Sequence, residues 1–296
     1  MKTPFLSRVA SAPISWGICE VPGWGKMLST NRVLSEMGQL GLAGTELGAP
    51  GFLPTNPDQI NATLEEHQLK LLGGFTPIVV HNPAERDRTM EHVRKAIDLF
   101  RRTGATHLVS SPVYTWNWDV PKNLTSDETK HMFKVLDEIT LMCRDNGMSN
   151  VLHPHLMTVV ETNADVERVL DGCDVDWCLD SGHLAIGGVD VLEFAKAAFH
   201  RIGHVHLKDV DLSKAHSVLN RSQSIMESVQ DGLFTVLGKG DVPISELVRF
   251  LEKQGYQGWY VIEQDLAITG DLPEIGEGPM GLVEESLAYL RAISLD

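Results

Sequence analysis

The chain runs to 296 residues, 43% hydrophobic and 22% charged, which is enough apolar material for a sizeable core and excludes a disordered or fibrous class. Its 25 Lys and Arg against 40 Asp and Glu leave a net charge of -15, so a polyanion such as nucleic acid is not an expected partner. The N-terminal stretch lacks a signal-like apolar core and no later run approaches a membrane span, so a cytoplasmic protein with no membrane partner is expected.

Short β-rich runs alternate with longer amphipathic runs along the whole chain, the pattern of repeated βα units. A first strand is read over Val9–Trp16 with a helix near Thr30, and a second strand over Gly44–Leu47. The third, Leu69–Phe75, leads to a helix from about Ala84 to Arg102, where Val93, Ile97, Leu99 and Phe100 recur at helical spacing. The fourth, His107–Pro112, leads to a helix from about Ser126 to Asn146, with Phe133, Val135, Leu136 and Ile139 on its apolar face. Four more strands begin near Asn150, Asp176, Ile202 and Trp259. Eight is the closing number for a (β/α)8 barrel, so the expected fold class is α/β, a single TIM-barrel domain over residues 1–296. A loop or helical insertion at about 212–240 interrupts the seventh unit on the face where barrel enzymes build their sites, and reads as a lid or substrate-shaping segment. A doubly wound sheet would bring a Gly-rich phosphate turn after an early strand, and no segment fits it.

The strand ends carry the chemistry. His153-Pro-His155, Asp180-Ser-Gly-His183, His204-Val-His206-Leu-Lys208-Asp209 and Glu263-Gln-Asp265 each close an apolar run, and parallel barrel strands bring such ends to one mouth. Alternation puts His153 with His155 on one face, and His204 with His206 on another, without choosing within either pair. One histidine from each pair with Asp180 and Glu263 makes a mixed N/O set. That set suits Mn²⁺ or Co²⁺ first, also Fe²⁺ or Zn²⁺, and admits Mg²⁺, whereas Ca²⁺ prefers oxygen alone. The competing roles are an N-cap for Asp180 and a solvated charge for Glu263. Cys19, Cys143, Cys173 and Cys178 form no close C-x-x-C pair and are expected reduced and mostly buried.

These motifs, with Ala12-Pro-Ile-Ser-Trp16, Gly44-Thr-Glu46-Leu-Gly48, Thr158-Val-Val-Glu-Thr162, Gly232–Thr235, Leu237-Gly-Lys-Gly-Asp241 and Gly258–Glu263, occur in family order over nearly the whole chain. The chain resembles the xylose-isomerase-like barrel superfamily of sugar isomerases and epimerases, and within it the inosose (2-keto-myo-inositol) dehydratases. The resemblance implies metal ligands at His153, Asp180, His206 and Glu263, with His183 and Lys208 facing the substrate. His155 and His204 are left for supporting or substrate contacts, or for packing. Epimerases of the superfamily carry a glutamate where His153 stands and use it opposite the last-strand glutamate. Two-glutamate epimerisation is therefore not expected here, and the same strand ends lean toward dehydration. The segments Leu156-Met157 and Gly17–Trp24 depart from the dehydratases.

The expected substrate is a polyhydroxy ketone or sugar, enolised at a divalent metal, with Lys208 or Glu263 as the base. Lys208 competes with a plain ion pair to Asp209; a nearby cation would depress its pKa into a useful range. Glu46 is read as a hydroxyl acceptor at the mouth, and Trp16 as a sugar-stacking wall or a packed core residue. Gly238-Lys-Gly240 is either a phosphate cradle or only a turn, and a non-phosphorylated substrate is favoured. Isomerisation is the alternative reaction. A phosphodiesterase of the apurinic endonuclease type is disfavoured by the acidic charge, and by Phe234 and Thr235 where an extra histidine ligand is wanted. Homo-oligomerisation is compatible with the sequence.

Overall fold

The structure, a computed structural model, describes residues 4–19 and 21–295. Met1, Lys2, Thr3 and Asp296 lie outside the described residues, as does Glu20 of the departing segment after the first strand. The strands are β1 (Val9–Ser11), β2 (Gly44–Thr45), β3 in two runs (Lys70–Leu71 and Gly73–Ile78), β4 (His107–Pro112), β5 (Ser149–Leu152), β6 (Asp176–Asp180), β7 (Ile202–Leu207) and β8 (Tyr260–Ile262). Every neighbouring pair is parallel, and β8 lies between β1 and β7. The two ends of the hydrogen-bonded sheet are the two runs of β3. Leu72 joins them: its N–H donates to Thr45 O, and its carbonyl accepts from His107 N–H, so the ring closes through one residue. Gly73 permits this approach, because a Cβ there would sit 2.1 Å from His107 O.

The outer layer holds α1 (Thr30–Gln39), α2 (Pro57–Glu66), α3 (Arg86–Thr103), α4 (Ser126–Asp145), α5 (Asn163–Gly172), α6 (Ser181–Ile186), α7 (Val191–Ala198), α8 (Leu212–Leu219), α9 (Ile225–Gln230), α10 (Ile244–Gln254) and α11 (Pro279–Arg291). Each long helix buries a stripe at i, i+3, i+4 spacing: Met90, Val93, Ile97 and Phe100 on α3, and Ile244, Leu247, Val248 and Leu251 on α10. Such side chains stabilise by about 1.5–3 kcal/mol each on full burial. Thr125 starts α4 through a capping box with Glu128, and Gly104 ends α3 in the left-handed region.

The structure moves several expected boundaries. β1 stops at Ser11, and Pro13–Trp16 forms a 3-10 turn, because Pro13 has no N–H to continue a ladder. On α4 it is Met132 that faces inward, while Phe133 lies half-buried against Gly172, whose absent Cβ would meet that ring at 2.2 Å. The segment after β7 is mostly helical: it contains α8 and α9, then a short antiparallel ribbon pairing Asp209–Val210 with Phe234–Thr235. Gln230 of this segment donates to the carbonyls of Gly23 and Trp24, fastening it to the loop after β1.

Candidate metal centre and active site

Alternation sends Val151 of β5 and His153 just after it, Cys178 and Asp180 of β6, and His204 and His206 of β7 to the barrel interior, with Glu263 and Asp265 following β8. His153, Asp180, His206 and Glu263 thereby converge, each offering one ligand atom within 4.8 Å of the others. His153 Nε2 lies 3.1 Å from Asp180 Oδ2. His206 Nδ1 lies 2.9 Å from Glu263 Oε2 and 3.6 Å from Asp180 Oδ2. Asp180 serves twice: Oδ1 accepts the His183 N–H at 2.7 Å and caps α6, while Oδ2 faces the cluster.

Burial alone would push both carboxyls up. Lys208, His183 and His153 instead hold Asp180 well below the carboxylate range, and His206 and Lys208 pull Glu263 down to about 2. Burial would likewise push His206 down, but the carboxylates of Glu263, Glu46 and Asp180 hold it well above its ordinary value. The pocket thus favours positive charge beside Nδ1, an atom with no hydrogen-bond partner. Two ionised oxygens and two imidazoles around an unsatisfied buried nitrogen fit a divalent cation of the mixed N/O class. Cys178 also lies within reach of His153 and His206, but burial pushes its thiol up to about 12, and a protonated thiol is a poor ligand. Cys143, Cys173 and Cys178 are free and buried, and Cys19 is half-buried.

Lys208 crosses the same space. Its Nζ lies 2.8 Å from Asp265 Oδ1, 3.1 Å from Glu263 Oε2, 3.6 Å from Asp180 Oδ2 and 3.1 Å from His183 Nε2, with the Phe234 ring centroid at 4.9 Å. The sequence pattern suggested a depressed lysine pKa. Burial does act that way, but the carboxylates of Asp180, Asp265 and Glu263 outweigh it and hold Lys208 above its ordinary value. Asp209 is not its partner. That carboxylate accepts the N–H groups of Gly238, Gly240 and Val242, so the amides of the Gly238-Lys-Gly240 turn are spent internally and cradle no phosphate.

The Asp-Ser-Gly-His and His-Leu-Lys motifs prove to be one device. Ser181 Oγ donates to Lys208 O and accepts the Lys208 N–H, and a Cβ on Gly182 would fall 2.6 Å from Lys208 Cγ. His183 then meets the ammonium, as a histidine kept neutral by burial and by the neighbouring His155 and Lys208.

Of the other expected residues, His155 lies beyond the cluster, its ring 4.0 Å from that of His183 and 5.8 Å from that of Trp118; burial pushes it down to about 3. Glu46 sits deeper, accepting from both His204 and His206. Trp16 is fully buried with its indole N–H given to Glu36 of α1, so it packs in the wall instead of stacking at the mouth. The aromatic faces that do reach the mouth are Phe75 and Trp118, 38% and 36% exposed and stacked with centroids 6.0 Å apart. Sequence reading missed both, and missed Asp265 as a partner of Lys208. Asp265 could have been found by alternation, two residues beyond Glu263; Trp118, on a loop, has no such signal.

A family model described as xylose isomerase-like TIM barrel matches residues 34–293. The chain is 29% identical over 281 residues to an inosose dehydratase of Clostridium perfringens, covering 90% of this chain and 93% of that one. It is 31% identical over 267 residues to the rhizopine catabolism protein MocC of Rhizobium meliloti, covering 87% and 81%. Among solved structures, the 3-keto-D-glucoside 4-epimerase YcjR of E. coli superposes with a TM-score of 0.66 over 96% of this chain and 98% of that one, at 16% identity, a likeness of fold alone.

Proposed function

Because the chain belongs to the xylose isomerase-like TIM barrel family, we propose that it is a divalent-cation-dependent carbon–oxygen lyase, which dehydrates a neutral polyhydroxy ketone in the manner of an inosose dehydratase. The observation that carries this reading is the buried Lys208 ammonium, set between Asp265 and Glu263 beside the four-residue cluster. His153, Asp180, His206 and Glu263 hold the cation, Mn²⁺ or Co²⁺ before Zn²⁺, Fe²⁺ or Mg²⁺. When bound, the cation supplies Lewis acidity for the substrate's carbonyl and adjacent hydroxyl oxygens.

Glu263, pulled down to about 2, is a ligand and a weak base. Asp265 is better matched to proton abstraction near neutrality: burial pushes it up to about 6. In the proposed reaction the C–H bond beside the ketone breaks and its proton passes to Asp265. The electron pair forms the carbon–carbon double bond, and the hydroxyl on the next carbon departs as water with the proton of Lys208. His183 and His155 contact the substrate's hydroxyls, and Phe75 with Trp118 cover its C–H face.

The inosose dehydratase relatives support the dehydration, as does the residue directly after β5. That residue is His153, not a carboxylate, so proton exchange between two carboxylates on opposite sides of the substrate lacks its member there. Isomerisation remains the rival outcome of the same C–H cleavage. The test incubates Mn²⁺- or Co²⁺-loaded protein with 2-keto-myo-inositol, following the absorbance of the diketone and solvent-deuterium incorporation. Dehydration is expected; deuterium exchange without it would establish the isomerase instead. Glu263→Gln is expected to lose most of its Co²⁺ affinity, and full retention of metal and turnover would remove Glu263 from the site.

A further inference from the structure

Below the cluster the barrel axis stays polar. The small apolar groups of the interior are separate: Ala10, Ala12, Leu72 and Val261 in one, Val109, Val151 and Cys178 in the other. Glu46, His204 and His206 lie inside the barrel as well, none more than 3% exposed. Glu46 Oε1 accepts from His204 Nε2 and from His206 Nε2, both at 2.9 Å. The His204 ring lies 4.7 Å from that of His107, and its own Nδ1 has no partner. A buried carboxylate and imidazole with unspent polar atoms are costly furniture for a barrel centre, where hydrophobic packing is ordinarily preferred.

One oxygen receiving two Nε2–H groups places the proton of each imidazole on Nε2. For His206 this turns Nδ1, the atom between Asp180 and Glu263, toward the cluster as the nitrogen that a cation would deprotonate. A metal-ligating imidazole needs its other nitrogen tied in this way to hold tautomer and ring angle. A carboxylate with one partner can still rotate; a second donor on the same oxygen, approaching from His204, restrains it.

We propose that Glu46 and His204 are positioning residues of the cation site: Glu46 ties up Nε2 of His206 so that Nδ1 is the nitrogen presented to the ion, and His204 keeps Glu46 in place. The proposal rests on the reading of the four-residue cluster as a cation site, and it makes the affinity of that site depend on two residues that never touch the ion. Its rival is a second cation held by Glu46, His204 and His206 themselves, whose ligand atoms also fall within 4.8 Å of one another.

The full-length protein labelled with ¹⁵N-histidine tests the tautomer without any substitution. With the first equivalent of Zn²⁺ one histidine should keep its Nε2 proton and lose the proton of Nδ1, whose resonance moves. Calorimetry with Co²⁺ tests the positions: Glu46→Gln and His204→Phe are each expected to weaken a single site by about 10–100-fold. His204→Gln, which keeps an N–H donor, should recover most of the loss. A His206 that keeps its proton on Nδ1 in the Zn²⁺-loaded protein overturns the proposal, as does unaltered Co²⁺ affinity in a folded Glu46→Gln protein. Two equivalents of Co²⁺ with one lost in His204→Phe overturn it in favour of the second cation. His153→Ala separates the two levels. Undiminished Co²⁺ binding in that variant removes the cation site itself, whereas a defective His153→Ala beside a silent Glu46→Gln removes only the positioning role.

Discussion

Lys208 reaches its place because a neighbour is missing an atom. Gly182 gives it the volume of a Cβ and Ser181 pins its backbone, so the side chain can enter only along one line. Gly182→Ala forces that line to shift; overpacking of this kind costs about 1–3 kcal/mol. Reduced urea resistance together with lost turnover is the expected outcome, and unchanged values in both would show that the side chain has another route. Lys208→Met should lower kcat by about 10²–10⁴-fold, the usual worth of a positioned acid, while Co²⁺ still binds. Trp118 makes a different kind of contribution. It holds φ +59°, a strained region for a bulky residue that costs about 1–3 kcal/mol, in a turn where its N–H donates to Thr115 O. Trp118→Ala should raise KM several-fold and leave kcat within a few-fold of its starting value; a purely structural role would change neither. At this scale strand alternation and metal chemistry, both local, pointed to Asp180, Glu263 and one histidine of each His-x-His pair, while the choice of His153 and His206 came from the family resemblance. Glu46 was misplaced at the mouth, and Trp16 was left open between stacking and packing, for one common reason: their partners, two histidines about 160 positions away in the first case and Glu36 in the second, are set by the closed ring and not by nearby sequence.

Helices with a clear apolar stripe, such as α3 and most of α4, were legible from periodicity, and strands ending in charged motifs stood out by contrast. α2 went unread because only Pro57, Ile60 and Leu64 are buried along its ten residues, too few to impose a period. The helical character of α8 and α9 was equally faint, since each is short and owes its start to local caps at Asp211 and Ser224. The turn that follows has a single organiser. Asp209 accepts the N–H groups of Gly238, Gly240 and Val242, and a Cβ on Gly240 would lie 2.3 Å from its Oδ1. Asp209→Ala strands these donors, at about 1–3 kcal/mol for a buried unsatisfied group. Faster amide exchange confined to about residues 236–242 is the expected signature, and exchange unchanged there would mean that the turn holds by other contacts.

The whole molecule carries histidines that folding keeps neutral. Burial pushes His107 and His155 each down to about 3, against about 6.5 in the unfolded chain. Below pH 6.5 the unfolded state therefore takes up protons that the folded state refuses, so stability falls as pH falls, by up to about 1.4 kcal/mol per unit for each group. Asp265, raised to about 6, acts oppositely, and offsets about one histidine between pH 3.8 and 6. The urea midpoint of chelator-treated protein should accordingly decline between pH 6.5 and 4.5; an equal or higher midpoint at the acidic end contradicts the assignment. The position of β8 between β1 and β7 has a temporal consequence. Val9–Ser11 emerges early in synthesis and must wait for Tyr260–Ile262 before it has a neighbour on that side. Glu263 and Asp265 arrive on the same piece of chain. Ring closure and completion of the four-residue cluster are thus one event set by the arrival of β8, and a cation bound by that cluster would favour the closed ring by mass action.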